Sequence, residues 1–273
     1  MNVFISADME GVCGIRHWEQ AEPRLMDYEL GREWMALDVN AAVEGALRAG
    51  ATRIVVRDAH NEANNIRPDK LHPAAELISG WGPLSSMVEG VDESFDAVFL
   101  VGYHARACTD RGTLAHTWSS NVLELALDGR PIGEAFWSAA FAGHFGVPVA
   151  LVTGDDLLKE QVEQELPPGV HYVITKTGMG HKCARLRPPA DARDEIRDTA
   201  AAALDGLEGL TPLRPEWPAT LSIRFRHWEH LSAVEAIPGV RRTGIDSFAC
   251  RPSDMIEAQR YFITMHRLGR LPQ

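Results

Sequence analysis

Along the first half of the chain, short apolar runs alternate with longer stretches in which apolar residues return at helical spacing. This is the rhythm of βαβ units and a mainly parallel sheet. NVFISA at residues 2–7 reads as the first strand. Between Tyr28 and Ala49, the residues Leu30, Trp34, Leu37, Ala41, Val43 and Leu47 recur at helical spacing, and Gly50 stands where a helix stop falls. RIVVRDAH at 53–60 forms a second strand, and DAVFLVGYHA at 96–105 a third, after a loop rich in Gly, Pro and Ser between Ser79 and Gly90. VLELALDGRPIGE at 122–134 alternates apolar and polar positions around the turn dipeptide Asp128-Gly129, so a hairpin leads into a helix that starts near Glu134. VPVALVTG at 147–154 is a buried strand.

The second half carries weaker signals. VHYVITK (170–176), ATLSIRF (219–225) and RRTGIDSFAC (241–250) read as strands, while 190–205 and 253–268 have helical spacing. Proline-rich joints fall at Pro167-Pro168, Pro188-Pro189 and Pro212 to Pro218. The expected fold is α/β: a mainly parallel sheet with flanking helices, a functional site at the carboxyl ends of its strands, and a smaller C-terminal α/β lobe. The expected division is 1–165 for the lobe that carries the site and 166–273 for the second, with one continuous domain as the other reading. RHWE occurs at 16–19 and again at 226–229, but without surrounding similarity it makes no repeat.

Composition narrows the possible partners. A formal charge of −11 over 273 residues argues against nucleic acid and against an anionic membrane surface, since both need a basic footprint. No apolar stretch of the roughly 18 residues that a spanning helix needs is present. The four cysteines, Cys13, Cys108, Cys183 and Cys250, have no CxxC spacing, and the first residues show no basic region followed by a long apolar run, so no secretory signal is expected. A reduced, cytoplasmic protein is expected.

The candidate chemistry gathers at the strand ends. Asp8 and Glu10 lie two apart after the first strand, so an extended backbone turns both carboxylates to one side. The second strand ends in Asp58 and His60, and the third is followed by His104. In open parallel sheets the ligand crevice lies outside the carboxyl ends of the strands, where these residues would converge. Imidazole with carboxylate suits zinc, manganese or iron better than magnesium or calcium, and a carboxylate-rich set can bridge two metal ions in a hydrolytic centre. Glu134 and His116, the latter in LAHTW, are further candidates for the same pocket. Each has a plainer role open to it: Asp58 as a loop holder, Glu134 as a carboxylate at a helix N-terminus. His17, His72, His144, His171, His181, His227, His230 and His266 are left unassigned.

Other chemistries lack their parts. There is no GxGxxG after a strand, no GxxxxGK[ST] loop and no GxSxG elbow. Cys108, four residues after His104, reads as a small buried apolar residue rather than a nucleophile.

The segments SADMEG, DAHNEANN, LHPAAELISG, SMVEG, FLVGYHARA, LAHTW, RPIGE, PVALVTGDD and TKTGMGHKCA occur in this order over the first two-thirds of the chain. Together they resemble the D-aminopeptidase family of zinc peptidases. The resemblance implies two zinc ions per subunit on Asp8, Glu10, His60, His104 and Glu134, with His116 as the catalytic histidine. It also implies a ring-shaped homo-oligomer, a decamer, with active sites facing an internal channel. The implied activity is hydrolysis of the N-terminal peptide bond of short peptides that begin with a D-amino acid, such as D-Ala-D-Ala. Asp8 or Glu10 would bridge the metals, and His116 would serve as base, nucleophile or oxyanion stabiliser. NEANN and TKTGMGHK are expected to hold the substrate's amine or carboxylate. Two alternatives stand beside this reading: a metal-dependent hydrolase of another small amide or ester, and a non-catalytic protein that binds a small ligand.

Overall fold

In the computed structural model, which describes residues 1–270, strand β1 (Asn2–Ala7) turns Val3, Ile5 and Ala7 to one face and Phe4 to the other, all fully buried. A strand that is apolar on both sides belongs inside a parallel sheet covered on both faces. The chain continues through α1 (Trp18–Ala21), α2 (Tyr28–Arg48), β2 (Arg53–Asp58), β3 (Ala75–Ile78), β4 (Ala97–Val101), the hairpin β5 (Val122–Leu127) and β6 (Arg130–Ile132), and α3 (Glu134–His144). It then forms β7 (Val149–Asp155), α4 (Asp156–Glu165), β8 (His171–Gly180), β9 (Cys183–Leu186) and α5 (Pro189–Asp205). It finishes with β10 (Leu221–Phe225), β11 (Arg241–Arg242), β12 (Ser247–Cys250) and α6 (Met255–Leu268).

The main sheet has the order β3-β2-β1-β4-β7-β8-β9, with every pairing parallel except that of β9 with β8. After β1 the chain moves out to β2 and β3, then returns to the other side of β1 as β4. The order therefore reverses at β1, and a crevice opens there at the carboxyl ends. Helices α2 and α5 pack on each other and cover one face, joining Met35, Val39, Val43, Ile196 and Ala200 to Val3 and Ile5. The other face is covered by α3, α6 and a second sheet of order β11-β12-β10-β5-β6, all antiparallel, where Trp137, Phe262, Ile223 and Phe248 meet Phe4 and Leu100. The α/β class, the mainly parallel sheet and its flanking helices are as expected.

Strand β1, helix α2, the β5–β6 hairpin and the start of α3 fall where the pattern puts them. Asp128 and Gly129 both have positive φ (48° and 78°), the conformation that a two-residue hairpin turn needs. The segment 241–250, expected as one strand, is instead two, with Arg241 opposite Ala249 and Arg242 opposite Phe248. The chain reverses between them: Thr243 N–H donates to the Ser247 carbonyl, and the Arg242 guanidinium donates to the carbonyls of Gly244 and Ile245. α1, β3, α4 and β9 fall outside the expected elements; β3 and β9 are four-residue edge strands with much of their surface in water and present no apolar run.

The two sheets interleave along the chain. β5 and β6 precede residue 165 and belong to the second sheet, while β8 and β9 follow it and belong to the first.

Candidate metal centre

Because β1 lies between β2 and β4, the residues that follow it are flanked by those that follow its neighbours. Asp8 Oδ1 is 3.2 Å from His60 Nδ1, and Asp8 Oδ2 is 3.4 Å from His104 Nε2. Glu10 Oε2 is 3.1 Å from the same His60 nitrogen. Close approach of the β1 and β4 ends makes this possible, and glycine permits the approach. A Cβ on Gly11 would lie 1.8 Å from the Tyr103 carbonyl oxygen, and one on Gly102, at φ +75°, 2.4 Å from that of Asp8.

Glu134 and His116 come from the second layer. Glu134 is the first residue of α3, delivered by the hairpin, and its Oε2 lies 3.3 Å from His104 Nε2. Its other oxygen accepts from the Trp118 N–H. His116 stacks on His104 with ring centroids 4.1 Å apart, and its Nε2 is 4.0 Å from both Glu10 and Glu134. All six expected site residues are thus brought together.

Each of the three imidazoles is tied at its far nitrogen to a backbone carbonyl: His60 Nε2 to Ala21, His104 Nδ1 to Ala105 and His116 Nδ1 to Leu114, at 2.7 to 3.0 Å. A carbonyl accepts only, so those nitrogens carry the hydrogens and the opposite nitrogens turn lone pairs toward the carboxylates. Lone pairs facing carboxylate oxygens need a proton or a cation between them. Asp8 Oδ2, Glu10 Oε2 and His104 Nε2 are buried without a hydrogen-bond partner. The ligand atoms of Asp8, Glu10 and His104 lie within 4.8 Å of one another, as do those of His104, His116 and Glu134, so two overlapping donor groups share His104. This nitrogen and oxygen donor set fits zinc.

The electrostatics agree. Burial, helped by the Glu10 charge, pushes the Asp8 carboxyl up to about 7. Burial works against a charged His104, but the charges of Glu134, Asp8 and Glu10 outweigh it and raise the imidazole to about 10. Three carboxylates held out of water demand positive charge among them, and protons take that place when no metal does. His116 moves the other way: burial and the neighbouring His104 lower it below its ordinary value.

Other residues hold these in position. The Asp58 carboxylate accepts from the backbone N–H groups of Asn65 and Ile66 and from the Asn65 side chain, which also donates to the His60 carbonyl. Asp58 is therefore a loop holder, and Asn65 of NEANN turns inward to it. Within TKTGMGHK, the fully buried Lys176 donates to the carbonyls of Glu10 and Ile15 at 2.6 and 2.7 Å, and Thr175 donates to Gly11. These side chains grip the loop that carries Glu10 and are not among those lining the cavity. Cys108, expected to be buried, is exposed in a positive-φ turn after β4, with its thiol directed at the Leu123 carbonyl.

Asp8, Glu10, His60, His116 and Glu134 line a cavity of about 380 Å³. Its walls include Asn61 and Glu62 of NEANN, and also side chains that sequence reasoning did not single out. Trp18 stands edge-on to His116, Glu22 and Glu62 bring carboxylates, and Arg267 and Arg270 come from α6 and the turn after it. His266, left unassigned, also lines it; its Nε2 is 3.0 Å from the Ser119 hydroxyl, and burial pushes its pKa down to about 4. The sequence signal for them was slight: His266 and Arg267 sit in the last turn of a helix, where basic residues are common for dipole reasons alone.

A switch-point crevice with carboxylates and pinned imidazoles at its base defines a metallohydrolase of the α/β class. A family model described as D-aminopeptidase matches residues 1–264. The D-aminopeptidase of Bacillus subtilis (strain 168) is 34% identical over 270 residues, 98% of each chain. The solved structure described as the zinc-dependent D-aminopeptidase DppA from Bacillus subtilis, a self-compartmentalizing protease, superposes with a TM-score of 0.95 at 32% identity over the whole of both chains. The chain belongs to the D-aminopeptidase family, and it is a metallo-aminopeptidase. Among the described residues no helix is long and apolar enough to cross a membrane.

Proposed function

We propose that the chain is a zinc-dependent aminopeptidase that removes the N-terminal residue of short peptides beginning with a D-amino acid, D-Ala-D-Ala among them. Asp8, Glu10, His60, His104 and Glu134 hold two zinc ions in each subunit. The observation that carries this reading is the set of three imidazoles, each pinned by a backbone carbonyl, that turn bare nitrogens onto three buried carboxylates. Zinc bound there supplies a Lewis acid for the scissile carbonyl and brings a water toward a pKa of roughly 7.

The remaining work falls to the chain's own groups. His116 stays neutral near pH 7, because burial and His104 hold its pKa down, and its Nε2 faces Glu10 and Glu134 with a free lone pair. That nitrogen takes the proton of the attacking water and returns it to the departing amine. Trp18 shields His116 from solvent on one side. Glu22 and Glu62, which line the cavity, meet the substrate's free α-amine. Self-association into a ring, with a decamer as the expected size, is supported by the relative described as self-compartmentalizing and by exposed apolar side chains around α2: Leu25, Met26, Leu30 and Leu37.

The test measures bound metal and turnover together. Purified protein is assayed on D-Ala-D-Ala and L-Ala-L-Ala before chelation, after it and after zinc is restored, with zinc counted by atomic absorption. D-selective cleavage that follows a zinc content of two per subunit supports the reading. Two zinc ions with no cleavage of either peptide would redirect the site to another amide or ester, and no tightly held metal would refute the centre itself.

A further inference from the structure

The cavity has cationic walls that the chemistry above does not use. Arg267 Nη2 donates to the Ser85 hydroxyl, which aims one edge of the guanidinium and leaves its other donors free. Arg270 is exposed, lines the same cavity and has no side-chain hydrogen bond or ion pair among the described residues. Both arginines lie within charge range of His266, which is itself within charge range of Glu134 in the metal centre. Next to them His266 is 4% exposed, and its Nδ1 has no partner. One guanidinium without a protein partner, a second held at one edge by Ser85, and a buried imidazole with an orphaned nitrogen line the same cavity, and in a chain that carries a net −11 they leave room for an anionic group. A planar carboxylate matches the guanidinium fork, which binds it through paired hydrogen bonds.

We propose that Arg267 and Arg270 form a subsite for the free C-terminal carboxylate of the substrate. This rests on the aminopeptidase reading and adds to it a rule of length. A peptide held by its amine and scissile bond near the metal centre, and by its carboxylate at the arginines, spans a cavity of about 380 Å³. The enzyme then selects dipeptides and tripeptides with a free carboxyl end over longer or capped chains.

The experiment compares D-Ala-D-Ala with its C-terminal amide on the zinc-loaded enzyme, in wild type, Arg270→Gln, Arg267→Gln and Arg260→Gln. Losing a charge-assisted hydrogen bond to a solvent-accessible guanidinium lowers affinity by about 10-fold. Wild type is expected to prefer the acid by that factor in kcat/KM, mainly through KM. Arg270→Gln, whose side chain has no hydrogen bond or ion pair to lose among the described residues, is expected to collapse the acid-to-amide ratio toward one, with Arg270→Lys restoring part of it. Arg260→Gln removes the same charge from α6 at a residue that does not line the cavity and keeps the wild-type ratio. A wild-type ratio near one, or a ratio unmoved in both cavity variants, overturns the subsite. Calorimetric titration of both ligands into zinc-loaded His116→Ala protein reads the subsite without turnover. If wild type cleaves neither ligand, the aminopeptidase reading fails, while tighter binding of the acid that the added Arg270→Gln change abolishes still supports the subsite, and equal binding of the two removes it.

Discussion

Replacing Lys176 with Met isolates a buried lysine beneath the metal centre. Its amine is fully buried and donates to the Glu10 and Ile15 carbonyls, a task for which two N–H bonds suffice. The neutral amine therefore does the same work as the ammonium, and burial favours it: the pKa falls from 10.5 to about 8, against the pull of Asp155, Cys13, Asp38 and Glu10. A base whose folded pKa lies below its unfolded value binds more protons unfolded, so its contribution to stability rises with pH across that interval. At about 1.4 kcal/mol per pH unit, the rise between pH 8 and pH 10.5 amounts to about 3 kcal/mol. Lys176→Met abolishes this rise and strands two buried carbonyls at about 1–3 kcal/mol each. At pH 7 the relief of the buried charge offsets much of that loss; by pH 10.5 the whole loss shows. Urea unfolding of wild type and variant at half-unit steps from pH 7 to 10.5 gives the difference curve, in which all other titrating groups cancel. A curve that widens by about 3 kcal/mol is expected. A flat one would mean that Lys176 titrates at its ordinary value, and the account of a desolvated lysine gripping the Glu10 loop would be wrong.

Three further outcomes are expected. In the proposed mechanism the imidazole moves a proton and five other residues hold the metal, so His116→Ala should lower kcat by about 10²–10⁴-fold with zinc content unchanged; full activity, or loss of metal, would remove it from that role. Gly102→Ala places a methyl group 2.4 Å from the Asp8 carbonyl at φ +75°, so the denaturation midpoint should fall by an amount equal to about 2–4 kcal/mol, and a midpoint within experimental error of wild type would show that the β1 and β4 ends can part freely. Asp58→Asn withdraws a carboxylate from three N–H donors around Asn65 and Ile66, and a drop of about 1–3 kcal/mol should come with weaker zinc binding, because the loop it holds carries His60; equilibrium unfolding with a competing chelator separates the two effects.

Much of the site could be read before any fold was known. Asp8, Glu10, His60 and His104 share a signal that needs no homologue: chemistry-bearing residues just past three apolar strands. The pattern is local, and parallel-sheet topology turns it into convergence. Glu134 and His116 had no such signal, since a carboxylate in the first turn of a helix and a histidine in a loop are ordinary features. Asp58 and Lys176 were ambiguous for a related reason: whether a carboxylate or an amine meets a ligand or a neighbouring backbone depends on which way its loop turns.

Hydrophobic period alone is enough for β1, α2, the β5–β6 hairpin and α3, because an apolar run, a helical stripe and an Asp-Gly turn are local patterns of neighbouring side chains. Period carries no information about which strands become neighbours. The order β2-β1-β4 and the arrival of α6 with His266, Arg267 and Arg270 on the cavity wall arise from contacts between residues far apart in sequence. The same holds for the protonation pattern of the site. His60, His104 and His116 point bare nitrogens at the carboxylates because the carbonyls of Ala21, Ala105 and Leu114 occupy their other sides, and for His60 that carbonyl comes from a helix 39 residues away.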